Sequence, residues 1–391
     1  MAPIVAQRIM DLPPYLFAEL DRAKADLRSE GKDVIDLGIG DPDLPTPKPI
    51  VRALKAQAEE PQNHRYPSYE GLLPFRQAVA DWYLKRFGVE LDPVNEVVSL
   101  IGSKEGIAHL PLAFINPGDP GLYTEPGYPV YPVSILFAGG IPAPLPLLRE
   151  NGFLPDLNAI PEDLARSSKI LFFNYPNNPT SACAELEFFE RVVHFCQRFD
   201  ILACHDAAYT EIAYGRYRPP SFLQAKGAKE VGIEFHSLSK TFNMTGWRVG
   251  FCVGNREAVA ALGKVKTNID SGLFQAIQYA GVDALGRAEK IAAGLSKIYQ
   301  KRRDLVIRSL KACGLEPLVP RASFYIWCPV PGNLSSREFC RKVLVESAVV
   351  MTPGIGFGAH GEGYFRISLT QPDGRLEEAM LRLEGVAEAL W

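Results

Sequence analysis

The sequence predicts an α/β protein: a three-layer large domain built on a mostly parallel sheet, with a smaller α+β domain beside it. Three features lead there. Short apolar runs rich in β-branched residues alternate with longer amphipathic segments, as expected when strands are covered on both faces by the helices between them. Proline turns follow several of those runs, in EPGYP (125–129) and YPNNP (175–179), at the strand ends where open α/β sheets place their ligands. The rhythm then changes near residue 286, where one long helical stretch leads into isolated strands and helices.

Taken in order, VVSLIG (97–102), GLYTE (121–125), KILFFNYP (169–176), ILACHDAA (201–208), IEFHSLS (233–239) and RVGFCVG (248–254) read as buried strands. Segments near 104–116, 184–199 and 255–266 read as the helices between them, and NPGDP (116–120) as a loop. Beyond 286 come a long helix, the strand SFYIWCPV, a further helix, AVVMTPG, YFRISLT and a last helix. The first 45 or so residues lack a core of their own and are expected to join this second unit. That gives a large domain over 46–285 and a small one over 1–45 and 286–391. No internal repeat or low-complexity segment interrupts the pattern.

With 391 residues the chain can bury a large core without staples. Its net charge of −3 and lack of a Lys/Arg-rich run point away from a nucleic-acid partner. No apolar stretch reaches the roughly 18 residues of a membrane span, and no signal-peptide pattern opens the chain. The seven cysteines are odd in number, form no CxxC pair and sit mostly among apolar neighbours. They read as buried free thiols of a reducing compartment, so a cytoplasmic protein is expected, and no metal.

The chemistry concentrates in SLSKTFNMTGWR (237–248). Lys240 lies among small hydroxyl residues, with Arg248 eight positions on. A lysine in a tight polar pocket suits condensation with an aldehyde, and the arginine and hydroxyls suit a phosphate. Pyridoxal phosphate asks for both. Taken alone, the stretch also fits a solvated loop. GSKEG (102–106) follows a strand and opens a helix, where backbone N–H groups attract an anion; an ordinary Gly/Ser turn would look the same. Asn178, in NPT, is placed to bond an oxygen on a cofactor ring, or merely to occupy a proline turn. Asp206, in HDAAY, closes an apolar strand, and a carboxylate there needs a cationic partner. A pyridinium nitrogen is one such partner; capping a following helix is the other use of that residue. Tyr209 is placed to share the ring oxygen, and Tyr128 to lie on the ring face or in the core. Arg366 interrupts the apolar strand YFRISLT. Its planar fork matches a carboxylate, whether of a substrate or of a structural ion pair.

NPT, then D-x-x-Y, then S-x-S-K with an arginine eight residues later, then a late arginine, together resemble the class I/II aminotransferases of pyridoxal phosphate fold type I. The resemblance runs from GIGDPD (38–43) to YFRISLT (364–370) with the order of motifs intact. It implies that Lys240 carries the cofactor and moves the substrate proton, and that Asp206 pairs with the ring nitrogen. It implies that Asn178 and Tyr209 hold the ring oxygen and that Tyr128 stacks on the ring. Ser103, Lys104, Ser237 and Arg248 would surround the phosphate, joined by Tyr66 from a neighbouring subunit in a homodimer with shared sites. Gly40, Asn178 and Arg366 would meet the α-carboxylate of amino-acid and 2-oxo-acid substrates. Ser181 stands where the family usually has glycine after NPT.

A closer resemblance is to the LL-diaminopimelate aminotransferases, carried by LPPYLFAEL (12–20), YPSYEG (66–71), EPGYPVY (125–131) and TPGIGFGAHGEGYFRISLT (352–370). It would put Tyr15 near the substrate and the chain in lysine biosynthesis, with 2-oxoglutarate as acceptor. Plant-like members carry a glutamate three residues after the tyrosine matching Tyr66. Here Tyr69 holds that place and Glu70 follows, so either Glu70 supplies the charge or the chain is another branch of the activity. The same fold also serves broad-specificity aminotransferases of aspartate, alanine or aromatic amino acids, β-lyases and condensing synthases. It serves ligand-sensing transcription regulators too, but the few residues before the matching region are not strongly basic.

Overall fold

The structure, a computed structural model, describes residues 5–12 and 18–390. Twelve strands lie within them: β1 (Ile35–Asp36), β2 (Val97–Leu100), β3 (Pro120–Glu125), β4 (Ile141–Pro146), β5 (Ile170–Asn174), β6 (Leu202–Asp206), β7 (Gly232–Ser237), β8 (Gly250–Gly254), β9 (Tyr325–Pro329), β10 (Val349–Val350), β11 (Thr352–Pro353) and β12 (Tyr364–Ser368). Seven of them form one sheet in the order β2-β8-β7-β6-β5-β3-β4. β8 runs antiparallel to both its neighbours, and every other pairing is parallel. The mostly parallel three-layer fold expected from the sequence is therefore present.

Side chains of this sheet alternate between two cores, as the period of a strand requires. On β5, Leu171 and Phe173 enter the core shared with the helices Leu73–Phe87 and Leu186–Phe199. Ile170 and Phe172 enter the opposite one, with Ile107, Ile135 and Leu262. Burial on both faces explains why these strands read as unbroken apolar runs.

Two elements escape that reading for physical reasons. β4, IPAPLP, carries three prolines and looks like a loop. It lies at the sheet edge beside β3, where one row of N–H groups needs no partner and proline is tolerated. Helix Leu73–Phe87 buries Arg76 among its apolar residues, which blurs its stripe. The guanidinium there is satisfied by the carbonyls of Gly71, Pro93 and Val94.

The rest of the chain builds around β11-β12-β9, an antiparallel sheet, and the helices Ala288–Ala312, Ser336–Ser347 and Asp373–Leu390. β1 joins this region by pairing in parallel with β10. Just after β1, Asp43 receives a two-pronged bond from Arg302 at 2.7 and 2.9 Å, and Asp373 receives the Nε of the same arginine. This fork fixes the segment 38–43 against the long helix. None of the seven cysteines forms a disulfide, and five are buried.

Beneath the sheet, Glu234 is fully buried and accepts five hydrogen bonds: from Tyr83 Oη, Ser221 Oγ, His236 Nε2, His205 Nδ1 and the Phe222 N–H, at 2.6–2.9 Å. Burial alone would raise its carboxyl pKa, but the bonds from His205 and His236 outweigh it and hold the group well below its usual range. A depressed folded value means stability that is present above the unfolded pKa of about 4.3 and is lost as pH falls below it. Glu234→Ala should lower unfolding stability at pH 7 by about 3–5 kcal/mol, the loss expected when one partner of a buried charged cluster is removed. It should also flatten the acid limb of stability against pH. Urea unfolding at several pH values checks this, and an unchanged acid limb would contradict it.

Candidate active site

The carboxyl ends of β2, β5, β6 and β7 and the start of β8 meet at one edge of the sheet, together with the turn after β3. They surround a cavity of about 950 Å³, the place and size expected of a ligand site in an open α/β sheet. Lys240 enters it from the short helix Leu238–Thr241 that follows β7. Its Nζ donates to the Gly40 carbonyl at 2.7 Å. Burial lowers its pKa; Asp41 opposes this, Arg248 and Arg366 add to it, and the amine comes down to about 8. Such an amine is partly neutral, hence nucleophilic, near physiological pH.

Asp206 ends β6 on the face shared with Tyr131, whose hydroxyl donates to its Oδ2 at 2.8 Å. The other oxygen, Oδ1, is buried and has no partner. Burial raises the Asp206 pKa, opposed first by the Tyr131 bond. No helix follows directly, so Asp206 caps none. An unpaired buried acceptor lining a cavity fits a cationic N–H donor there.

Around the other side lie Ser103, Lys104, Ser237, Ser239 and Arg248. Ser103 starts the helix Ser103–His109, whose first N–H groups lack intrahelical acceptors. Ser237 Oγ caps the Lys240 helix through the Ser239 N–H. Arg248 adopts a left-handed backbone, φ 55°, and its Nη2 lies 2.3 Å from where a Cβ on Gly102 would stand. A side chain at position 102 would displace the guanidinium, and Gly102 also needs its positive φ of 77°. Backbone donors, hydroxyls and a guanidinium make an anion site. Aldehyde-seeking amine, unpaired carboxylate oxygen and anion site therefore fit pyridoxal phosphate.

Arg366, on β12, is buried. It donates to Asn178 Oδ1 at 2.7 Å and to the Gly38 carbonyl at 2.6 Å, and its Nε is unpaired. Among the described residues no carboxylate forms an ion pair with it, so the structural ion pair is absent. Tyr128 and Tyr209 line the same cavity. Burial, with the Asp206 charge, pushes the Tyr128 phenol up to about 12. Tyr66 is 85% exposed and is not part of the cavity wall, and Tyr15 lies outside the described residues. Glu70 is held by Ser68 Oγ at 2.8 Å, away from the cavity.

Asn174, Ser239 and Tyr325 line the cavity without being singled out by the sequence reading, and Tyr131, which bonds Asp206 from outside the cavity wall, is likewise not singled out. Asn174 donates to the Asp206 carbonyl at 2.6 Å and accepts from the Asn178 N–H at 2.7 Å, tying two site residues together. Ser239 sits beside Lys240 in a stretch already read as polar. Tyr131 and Tyr325 sit in apolar runs and carry no local signal. Elsewhere, Glu105, His109 and Asp270 bring ligand atoms together, but both carboxylates already bond the Lys266 ammonium, at 2.9–3.1 Å.

The family model for aminotransferase class I and II matches residues 32–383. The LL-diaminopimelate aminotransferase of Syntrophobacter fumaroxidans is 57% identical over 383 residues, covering 98% of this chain and 99% of the relative. That of Aquifex aeolicus is 55% identical over 381 residues, 97% and 98% of the two chains. Among solved structures, substrate-bound BacF from Bacillus subtilis superposes with a TM-score of 0.94 at 35% identity over 98% of each chain. A Thermus thermophilus aspartate aminotransferase mutant superposes with a TM-score of 0.91 at 26% identity, over 98% of this chain and 100% of its own.

In cofactor-free protein, Lys240 should react with an amine-acylating reagent with a midpoint near pH 8, well below the roughly 10.4 of free lysine. Arg366→Leu removes a neighbouring cation and should move that midpoint up. A wild-type midpoint near that of free lysine would contradict the geometry.

Proposed function

The chain belongs to the class I and II aminotransferases, which work with pyridoxal phosphate, and from that premise we propose that its amino donor is LL-diaminopimelate and its acceptor 2-oxoglutarate. The donor rests on one observation, the near full-length likeness to relatives that carry that name. Bound in the cavity, pyridoxal phosphate supplies an aldehyde that takes up amino groups and a ring that withdraws electrons from the bonds at Cα.

The residues divide the work. Lys240 would hold the cofactor through its amine, and the same amine, next to the substrate's Cα, would move a proton there as base and acid. Its lowered pKa leaves it free to do both. Asp206, one of whose oxygens accepts no hydrogen bond from the protein, would keep a positive charge at the ring nitrogen. Asn178 and Tyr209 would hold the ring oxygen, Tyr128 would pack on the ring, and Ser103, Lys104, Ser237 and Arg248 would hold the phosphate. Arg366, with Asn178 and the Gly40 segment, takes the α-carboxylate common to donor and acceptor, so one seat serves both halves of a ping-pong cycle. The enzyme is proposed to work in the cytoplasm as a homodimer, with Tyr66, exposed in the single chain, reaching the phosphate of the partner site.

Two experiments test this. A donor panel with 2-oxoglutarate, comprising LL-diaminopimelate, aspartate, alanine and an aromatic amino acid, should give the highest kcat/KM by far for LL-diaminopimelate. Activity on the others with none on it would overturn the donor. Lys240→Ala should lose the absorbance band of the covalently held cofactor and cut kcat by several orders of magnitude, roughly the loss seen on removing a nucleophile or base. Ordinary turnover by that variant would refute the lysine.

A further inference from the structure

We propose that Tyr325 is a positioning residue joining the two halves of this site: its ring carries the Arg366 guanidinium and its hydroxyl directs that of Tyr209. Tyr325 is buried on β9, opposite Ser368 of β12, while Arg366 lies opposite Trp327. Tyr325 and Arg366 are thus diagonal neighbours on one face of an antiparallel pair, within reach for long side chains. The guanidinium carbon stands 4.2 Å from the Tyr325 ring centre and 4.6 Å from that of Phe357.

That arrangement resolves a conflict in the carboxylate seat. Arg366 must stay charged while buried, yet a protein carboxylate beside it would compete with the substrate's. Two aromatic faces compensate the charge without a competing anion. Asn178 and the Gly38 carbonyl take two of its donors, and Nε remains unpaired.

The hydroxyl end does different work. Tyr325 Oη lies 3.2 Å from Tyr209 Oη and 2.0 Å from where a Cβ on Gly40 would stand, so only glycine leaves it room. When Tyr325 donates, the Tyr209 hydrogen turns toward the cavity and donates to the cofactor's ring oxygen; this part rests on the role proposed above for Tyr209. The backbone of Tyr325 is also fixed. Its carbonyl accepts from Ser181 Oγ at 2.8 Å, and Ser181 holds a positive φ of 58° in the turn that carries Asn178. Glycine would relieve that backbone but would lose the tie.

Tyr325→Phe keeps the ring and deletes the hydroxyl, whereas Tyr325→Leu deletes both. The holoenzyme is titrated spectroscopically with pH, and the calorimetric Kd of glutarate, a carboxylate without an amine, is measured. In Tyr325→Phe the pH midpoint of the bound cofactor's absorbance change should rise by about 0.5 unit or more, because a less directed Tyr209 stabilises the anionic ring oxygen less. Glutarate affinity should stay within about twofold, since the stacking survives. Tyr325→Leu should show the same shift and weaken glutarate about tenfold. An unmoved midpoint in Tyr325→Phe, or wild-type glutarate affinity in Tyr325→Leu, overturns the corresponding half of the proposal. If Arg366→Leu binds glutarate as the wild type does, the carboxylate seat lies elsewhere, and the reading of Arg366 falls with this one.

Discussion

A buried carboxylate with one oxygen left unpaired sets the terms for the rest of this molecule. Asp206 stands at the end of β6 with Oδ1 accepting no hydrogen bond from the protein. Burying such a group is costly unless something cationic completes it. Tyr131 offsets part of the cost through Oδ2, and Asn174 fixes the backbone beneath it. Asp206 itself lines a cavity whose wall carries a softened lysine on one neighbouring element and an anion site on another. A pyridinium ring bearing an aldehyde and a phosphate would satisfy all three at once.

The second constraint is the union of that edge with β9 and β12. Arg366 belongs to the small antiparallel sheet, yet its donors reach Asn178 in the turn after β5 and the carbonyl of Gly38 after β1. Lys240 bonds the neighbouring Gly40 carbonyl, and the Arg302–Asp43 fork holds that segment in place. The proposed carboxylate seat thus draws on three separate stretches of chain at a fixed offset from the lysine. Reaction specificity in a site of this kind depends on such an offset, because a small misplacement of the substrate costs orders of magnitude in rate.

Much of this was legible in the sequence, and the gaps have causes. The central strands could be read because both faces are buried, so β5 and β6 show as unbroken apolar runs. β4 was hidden because an edge position tolerates the prolines that mark loops elsewhere. Lys240, Asp206, Asn178, Arg248 and Arg366 stood out because each is a polar residue at a strand end or in an apolar strand, where chemistry needs a reason. Tyr131 and Tyr325 did not, because a tyrosine among apolar residues looks like core until a partner 75 or 116 residues away meets its hydroxyl. Ser181 showed only as a departure from glycine; its bond to the Tyr325 carbonyl is long-range and has no local sign.

The pairing of Asp206 with a protonated ring is the claim on which the chemistry stands, and nitrogen NMR reads it directly. Holoenzyme reconstituted with cofactor labelled at the ring nitrogen should show that nitrogen protonated well above the pH at which the free cofactor loses its proton, and Asp206→Asn should abolish this. A ring nitrogen with the same shift and titration in both proteins would contradict the assignment of Asp206.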